Sequence, residues 1–115
     1  MKTKIYFNPA CSKCRTSLEL LNEHGVEAEV IEYLTTPPDK ATLKEILAQL
    51  GLNARQLMRT HEAEYKAQNL DDTSLSEEAL IDAMIATPKL IERPIVVTDK
   101  GVAIGRPPEN IIKVL

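Results

Sequence analysis

The apolar positions change period along the chain, and each change marks an element. Ile5-Tyr6-Phe7 is a short apolar run that predicts a strand over residues 4–7. Asn8-Pro9 ends it, because proline has no amide to give a sheet. From Ser12 the apolar spacing becomes helical, and Gly25 closes a predicted helix over residues 12–24. Glu27 to Tyr33 alternates in part and predicts a second strand. With the helix as crossover, the two strands are expected to run parallel in a right-handed unit. Thr35-Thr36-Pro37-Pro38 stops the strand, and Pro38 with Asp39 signals the next helix start.

Leu43, Ile46, Leu47 and Leu50 share one face of a helix over residues 40–50, which Gly51 closes. Shorter helical pieces are expected from Ala54 to about Thr60 and from Glu62 to Gln68. Ser76-Glu77-Glu78 opens a helix carrying Leu80, Ile81, Met84 and Ile85, and Pro88 ends it. Ile95-Val96-Val97-Thr98 predicts a β-branched strand, Asp99-Lys100-Gly101 a tight turn, and Val102 to Gly105 the hairpin partner. Pro107-Pro108 opens a last helix holding Ile111, Ile112, Val114 and Leu115. The order is βαβ, a helical insertion at about 36–92, then ββα. With a cysteine at the first helix start, that order resembles the thioredoxin fold, an α/β architecture with a mixed four-stranded sheet.

Composition narrows the picture. A chain of 115 residues suits one domain spanning 1–115 with one core. Tyr6, Phe7, Tyr33 and Tyr65 are its only aromatic residues, so Leu, Ile, Val, Ala and Met must fill that core. A net charge of −3 argues against a general nucleic-acid or anionic-membrane binder. Two cysteines three positions apart do not make a secreted disulfide framework. Met1 to Lys4 leads into only three apolar residues, so no signal peptide is expected, and no run is long enough to span a bilayer. A monomer in a reduced cytoplasmic compartment is the expectation.

The candidate chemistry centres on Asn8-Pro9-Ala10-Cys11-Ser12-Lys13-Cys14-Arg15. Cys11 falls at or just before the first turn of the helix, where unpaired amides and about +0.5 charge of helix dipole favour a thiolate. Free cysteine titrates at about 8.5, and such a setting lowers it. Cys-x-x-Cys after a strand and at a helix start is a dithiol signature, with a small core residue as the lesser reading of Cys14. A metal site is not expected: zinc needs four ligands, and the remaining soft ligands, His24 and His61, are far apart and read as solvated. Arg93 precedes Pro94 at the mouth of the third strand, and Arg106 precedes Pro107 after the fourth. In a thioredoxin-like fold the proline before strand three lies beside the reactive cysteine and is commonly cis, so a cis Arg93-Pro94 bond with Arg93 against Cys11 is expected. Guanidinium forks bind planar or tetrahedral oxyanions, and several converging on one thiolate would hold an anionic substrate. Arg15 and Arg55 read as ordinary surface arginines.

Taken together, Tyr6, Asn8-Pro9-Ala10-Cys11, Arg15, Leu34-Thr35-Thr36-Pro37-Pro38, Leu57-Met58-Arg59, Ala79-Leu80-Ile81-Asp82, Pro88, Arg93-Pro94-Ile95-Val96-Val97 and Arg106-Pro107 resemble the glutaredoxin-coupled arsenate reductase family. The resemblance runs through the chain in order and implies an oxidoreductase. It implies that Cys11 attacks arsenate, or a similar oxyanion, while Arg59, Arg93 and Arg106 bind the oxyanion and Asn8 and Pro94 support the loop. It implies glutathione as co-substrate, glutaredoxin as partner and no bound cofactor. The family's characterised members have a histidine where this chain has Phe7 and a serine where it has Cys14. A phenylalanine cannot support the thiolate, and a second cysteine offers Cys11 an internal disulfide partner. Two alternatives stay open at this point: a thiol–disulfide oxidoreductase using Cys11 and Cys14, and a redox-sensing RNA polymerase partner like the Spx regulators.

Overall fold

The computed structural model describes residues 3–115; Met1 and Lys2, and with them part of the lead-in read as no signal peptide, lie outside the described residues. Two compact units emerge, one of residues 3–36 with 93–115 and one of residues 37–92.

The first unit is built on four strands, β1 Lys4–Phe7, β2 Glu29–Glu32, β3 Ile95–Thr98 and β4 Gly101–Ile104, in the order β2-β1-β3-β4. Strands β1 and β2 pair parallel, with Ile5 opposite Val30, and helix α1 Ser12–Glu23 connects them. Strand β3 runs antiparallel to both β1 and β4. The chain thus has the mixed four-stranded α/β sheet of the thioredoxin-like fold. Ile5, Leu21, Val96, Ala103, Ile111 and Val114 form a buried cluster between the sheet, α1 and the C-terminal segment. Phe7 packs on this cluster, so its ring serves the core.

Three details of this unit differ from the sequence reading. Strand β2 ends at Glu32, and buried Tyr33 belongs to the turn after it. Strand β4 starts at Gly101, which takes the ladder position opposite Thr98 and leaves a two-residue turn. The last helix is a 3₁₀ run, Pro108–Val114, with Pro107 as its N-cap residue. Thr98 ties this run to the hairpin: its Oγ1 donates to the Val114 carbonyl at 2.6 Å and accepts from the Lys100 amide at 3.0 Å.

The second unit is helical, with α2 Lys40–Leu50, α3 Ala54–Leu57, α4 Ala63–Ala67, α5 Glu77–Ala86 and a 3₁₀ turn Pro88–Leu90. Asp39 is the N-cap of α2, accepting from the Thr42 amide at 2.7 Å, and Gly51 closes α2 in the left-handed conformation at φ 69°. Asn53 and Gln56 form a reciprocal capping box on α3, and Ser76 caps α5 through the Ala79 amide. Leu43, Ile46 and Leu47 on α2 and Leu80, Ile81 and Met84 on α5 are the buried faces. Lys40 bridges to Glu78 and Asp82 and Lys44 to Glu78 across these helices, exposed pairs that water screens and that add little to stability. The helix expected to reach Thr60 stops at Leu57, because Met58 turns extended (φ −80°, ψ 146°) and bridges to Ile91. Tertiary pairing overrides local helix propensity there. No helix among the described residues is long and apolar enough to cross a membrane.

Candidate active site

The loop between β1 and α1 is held by its own backbone. The Asn8 carbonyl accepts from the Cys11 amide at 2.9 Å, and its Oδ1 accepts from the Ala10 amide at 3.0 Å. Arg15 reaches back from α1 to donate to the Pro9 carbonyl at 2.7 Å, so this arginine braces the loop. Cys11 is the N-cap residue of α1, with extended backbone at φ −96° and ψ 118°. No acidic side chain occupies the first turn of the helix, which leaves its positive end to the sulfur.

Cys11 is 8 % exposed and Cys14 is fully buried, and both are free thiols. Burial alone would raise the Cys11 pKa. The sulfur closes no short capping bond, but the amide and thiol of Cys14 and the guanidinium of Arg93 face it and outweigh burial, bringing it down to about 7. Cys14 goes the other way, to about 12, mainly through burial, which outweighs the lowering by the Asn8 backbone and is reinforced by the neighbouring Cys11. The pair therefore divides its roles: Cys11 carries the charge and Cys14 keeps its proton.

Arg93 and Pro94 are joined by a cis peptide bond, and so are Arg106 and Pro107, the second of which the sequence reading did not anticipate. The Arg93 guanidinium faces Cys11, while its buried Nε has no hydrogen-bond partner among the described residues. Arg106 Nη1 donates to the Arg93 carbonyl at 3.2 Å, and the Arg106 carbonyl accepts from Asn110 Nδ2 at 3.1 Å. Asn8, Cys11, Cys14, Arg93, Pro94 and Arg106 thus all belong to the sheet unit. Arg59 belongs to the helical unit. It is 8 % exposed, and its guanidinium meets Glu62 at 3.2 Å, Glu92 at 3.1 Å and His61 Nε2 at 3.1 Å. His61 is exposed, as the sequence reading has it, and is also a partner of Arg59. Arg55, read as a surface residue, bonds Tyr65 Oη and the carbonyls of Leu70 and Asp72, the last two at 2.6 and 3.0 Å. No three His, Cys, Asp or Glu side chains gather as a metal would require among the described residues.

Sequence reasoning passed over Gly105. A Cβ there would stand 2.4 Å from Ser17 Oγ and 2.7 Å from Pro94 Cγ, so only glycine lets the end of β4 lie against α1 and the proline beside the site. The signal was in the chain, as a glycine directly before Arg106-Pro107. Gly105→Ala is expected to destabilise the protein by about 1–3 kcal/mol, read as a lower denaturant midpoint at unchanged slope.

The Cys11 setting predicts its reactivity. Only the thiolate is alkylated, so the rate with iodoacetamide rises with pH through a midpoint near 7, against about 8.5 for free cysteine. The check is the pH profile of iodoacetamide modification, with peptide mapping to assign the residue. A midpoint at or above 8.5 would contradict this electrostatic account.

Comparison with known proteins follows the same outline. A model of the ArsC family matches residues 6–114. An uncharacterized Escherichia coli K12 protein, YfgD, is 57% identical over 115 residues, covering 99% of this chain and 97% of that protein. An arsenate reductase of Neisseria meningitidis serogroup B is 50% identical over 113 residues, covering 97% of each chain. The solved structure of an arsenate reductase from Vibrio cholerae superposes with a TM-score of 0.95 at 49% identity, covering 100% of this chain and 98% of that one.

Proposed function

The chain belongs to the ArsC family, and we propose that it is an oxidoreductase that reduces arsenate to arsenite by nucleophilic attack of Cys11, with glutathione and glutaredoxin supplying the reducing thiols. The observation that carries this reading is Cys11 at the start of α1 beside Arg93, charged near neutral pH and close to a guanidinium with an unused buried donor. Arsenate is a tetrahedral oxyanion, and a guanidinium fork suits its oxygens. The Cys11 thiolate attacks As(V), an S–As bond forms, and an arsenate oxygen leaves as water after protonation. Glutathione thiolate then attacks the Cys11 sulfur. An S–S bond forms, the S–As bond breaks, and its electron pair stays on arsenic, which leaves as As(III). Glutaredoxin takes the glutathione from the mixed disulfide and returns Cys11 as a thiolate.

Arg93 stabilises the thiolate and the oxyanion, and Arg106 holds the Arg93 backbone through its bond to that carbonyl. Support for a role of Arg59 in oxyanion binding comes from the family resemblance. Asn8 and Pro94 shape the walls of the site. The test is steady-state arsenite formation by the purified protein with arsenate, glutathione and glutaredoxin. Sustained turnover that depends on all three supports the reading, and no arsenite at all overturns it. Disulfide reduction without any response to arsenate would favour the dithiol alternative.

A further inference from the structure

The reaction above leaves one buried nucleophile unused. Cys14 sits three residues after Cys11, in the first turn of α1, with its thiol and amide turned towards the Cys11 sulfur. Cys11 is the more exposed of the two, and Cys14 lies wholly inside the protein. Cys11 keeps a small exposure through which an oxyanion can reach it, and Cys14 is fully buried beside it. Helical neighbours three apart have Cβ atoms about 5–6 Å apart, and a disulfide needs about 3.5–4.5 Å. Cys11 is outside the helix proper, with extended dihedrals, so its side chain can close that gap without breaking helical geometry.

We infer that Cys14 is a built-in resolving thiol that releases arsenite from the Cys11 adduct without glutathione. The inference rests on the arsenate reading of the site. Cys14 Sγ attacks Cys11 Sγ, and the Cys11–Cys14 S–S bond forms as the S–As bond breaks. The electron pair of the S–As bond goes to arsenic, which falls from As(V) to As(III). The Cys14 proton passes to an oxygen of the departing arsenite. Two thiols are oxidised to one disulfide, which balances the two electrons arsenic gains. A dithiol reductant then restores both cysteines by exchange.

The charge on Cys11 makes this order of events self-timed. While Cys11 is a free thiolate, a second adjacent negative charge is disfavoured and Cys14 stays protonated. Once the sulfur is bound to arsenic, the negative charge moves from the sulfur to the arsenate oxygens, farther from Cys14, while burial still holds the Cys14 proton. Proximity also makes the step intramolecular, and glutathione must instead arrive from solution.

The experiment mixes the fully reduced, desalted protein with arsenate and no added thiol, then counts arsenite, free thiols and intact mass. The expected result is a burst of one arsenite per chain, loss of both thiols, and a mass lower by two hydrogens. Cys14→Ser and Cys14→Ala are expected to give no burst, with iodoacetamide modification of Cys11 showing that the fold and the thiolate survive. A burst that persists in both variants would overturn the inference. So would turnover by the unmutated protein with glutathione and glutaredoxin but no thiol-free burst, and that outcome leaves the arsenate reading standing. No arsenite under either condition overturns both.

Discussion

Cys11→Ser is expected to abolish arsenite formation, with a loss of about 10⁴-fold or more in kcat. A serine hydroxyl at the head of α1 keeps the shape and can cap the helix, so the fold should survive with unchanged or slightly higher stability. What it cannot do is ionise near neutral pH or form and break a bond to arsenic with transfer of an electron pair to it. The effect is therefore on chemistry and not on substrate binding: arsenate affinity, read by competition, should change far less than kcat. Retained turnover in Cys11→Ser would mean that another group is the nucleophile, and Cys14 would be the first to examine.

Arg93→Ala is expected to have the second largest effect, a loss of about 10²–10³-fold in kcat/KM. Two contributions act in the same direction. The guanidinium helps to hold Cys11 down near 7, so without it the alkylation midpoint moves up and the thiolate fraction at pH 7 falls. It also offers a buried donor with no protein acceptor to an incoming oxyanion. Raising the pH should recover the first contribution and leave the second, so the deficit narrows at pH 9 without closing. Arg93→Lys should restore part of the charge effect and little of the oxyanion binding, because an ammonium lacks the planar fork. A full recovery at high pH would confine Arg93 to tuning the thiol.

Local signals made the sheet unit readable in advance. Strand β1, its proline stop and the helical run after Cys11 are contiguous, and period and turn residues suffice to place them. The same holds for α2, where Leu43, Ile46 and Leu47 keep helical spacing and Gly51 supplies the stop. Met58 shows the limit: its neighbours favour helix, and only a strand-like partner at Ile91, 33 residues on, pulls it extended. The C-terminal segment kept its apolar spacing but takes 3₁₀ rather than α-helical form.

The site divides the same way. Cys11, Cys14 and the two Arg-Pro pairs stand out by residue type and position. The environment of Arg59 does not, because one of its carboxylates comes from Glu92, far along the chain. Gly105 is the other silent feature, since the contact that demands glycine joins α1, the Arg93-Pro94 loop and β4. Phe7 is legible as apolar in the sequence, and the packed ring explains why no polar residue is needed there for the core to close.

The central claim is that the Cys11 thiolate is where the oxyanion binds and reacts. Its most direct test is the rate of Cys11 alkylation by iodoacetamide at pH 7 with increasing arsenate, for the unmutated protein and Arg93→Ala. The account predicts saturable protection of Cys11 in the unmutated protein and much weaker protection in Arg93→Ala. An alkylation rate that arsenate does not change in the unmutated protein would contradict it.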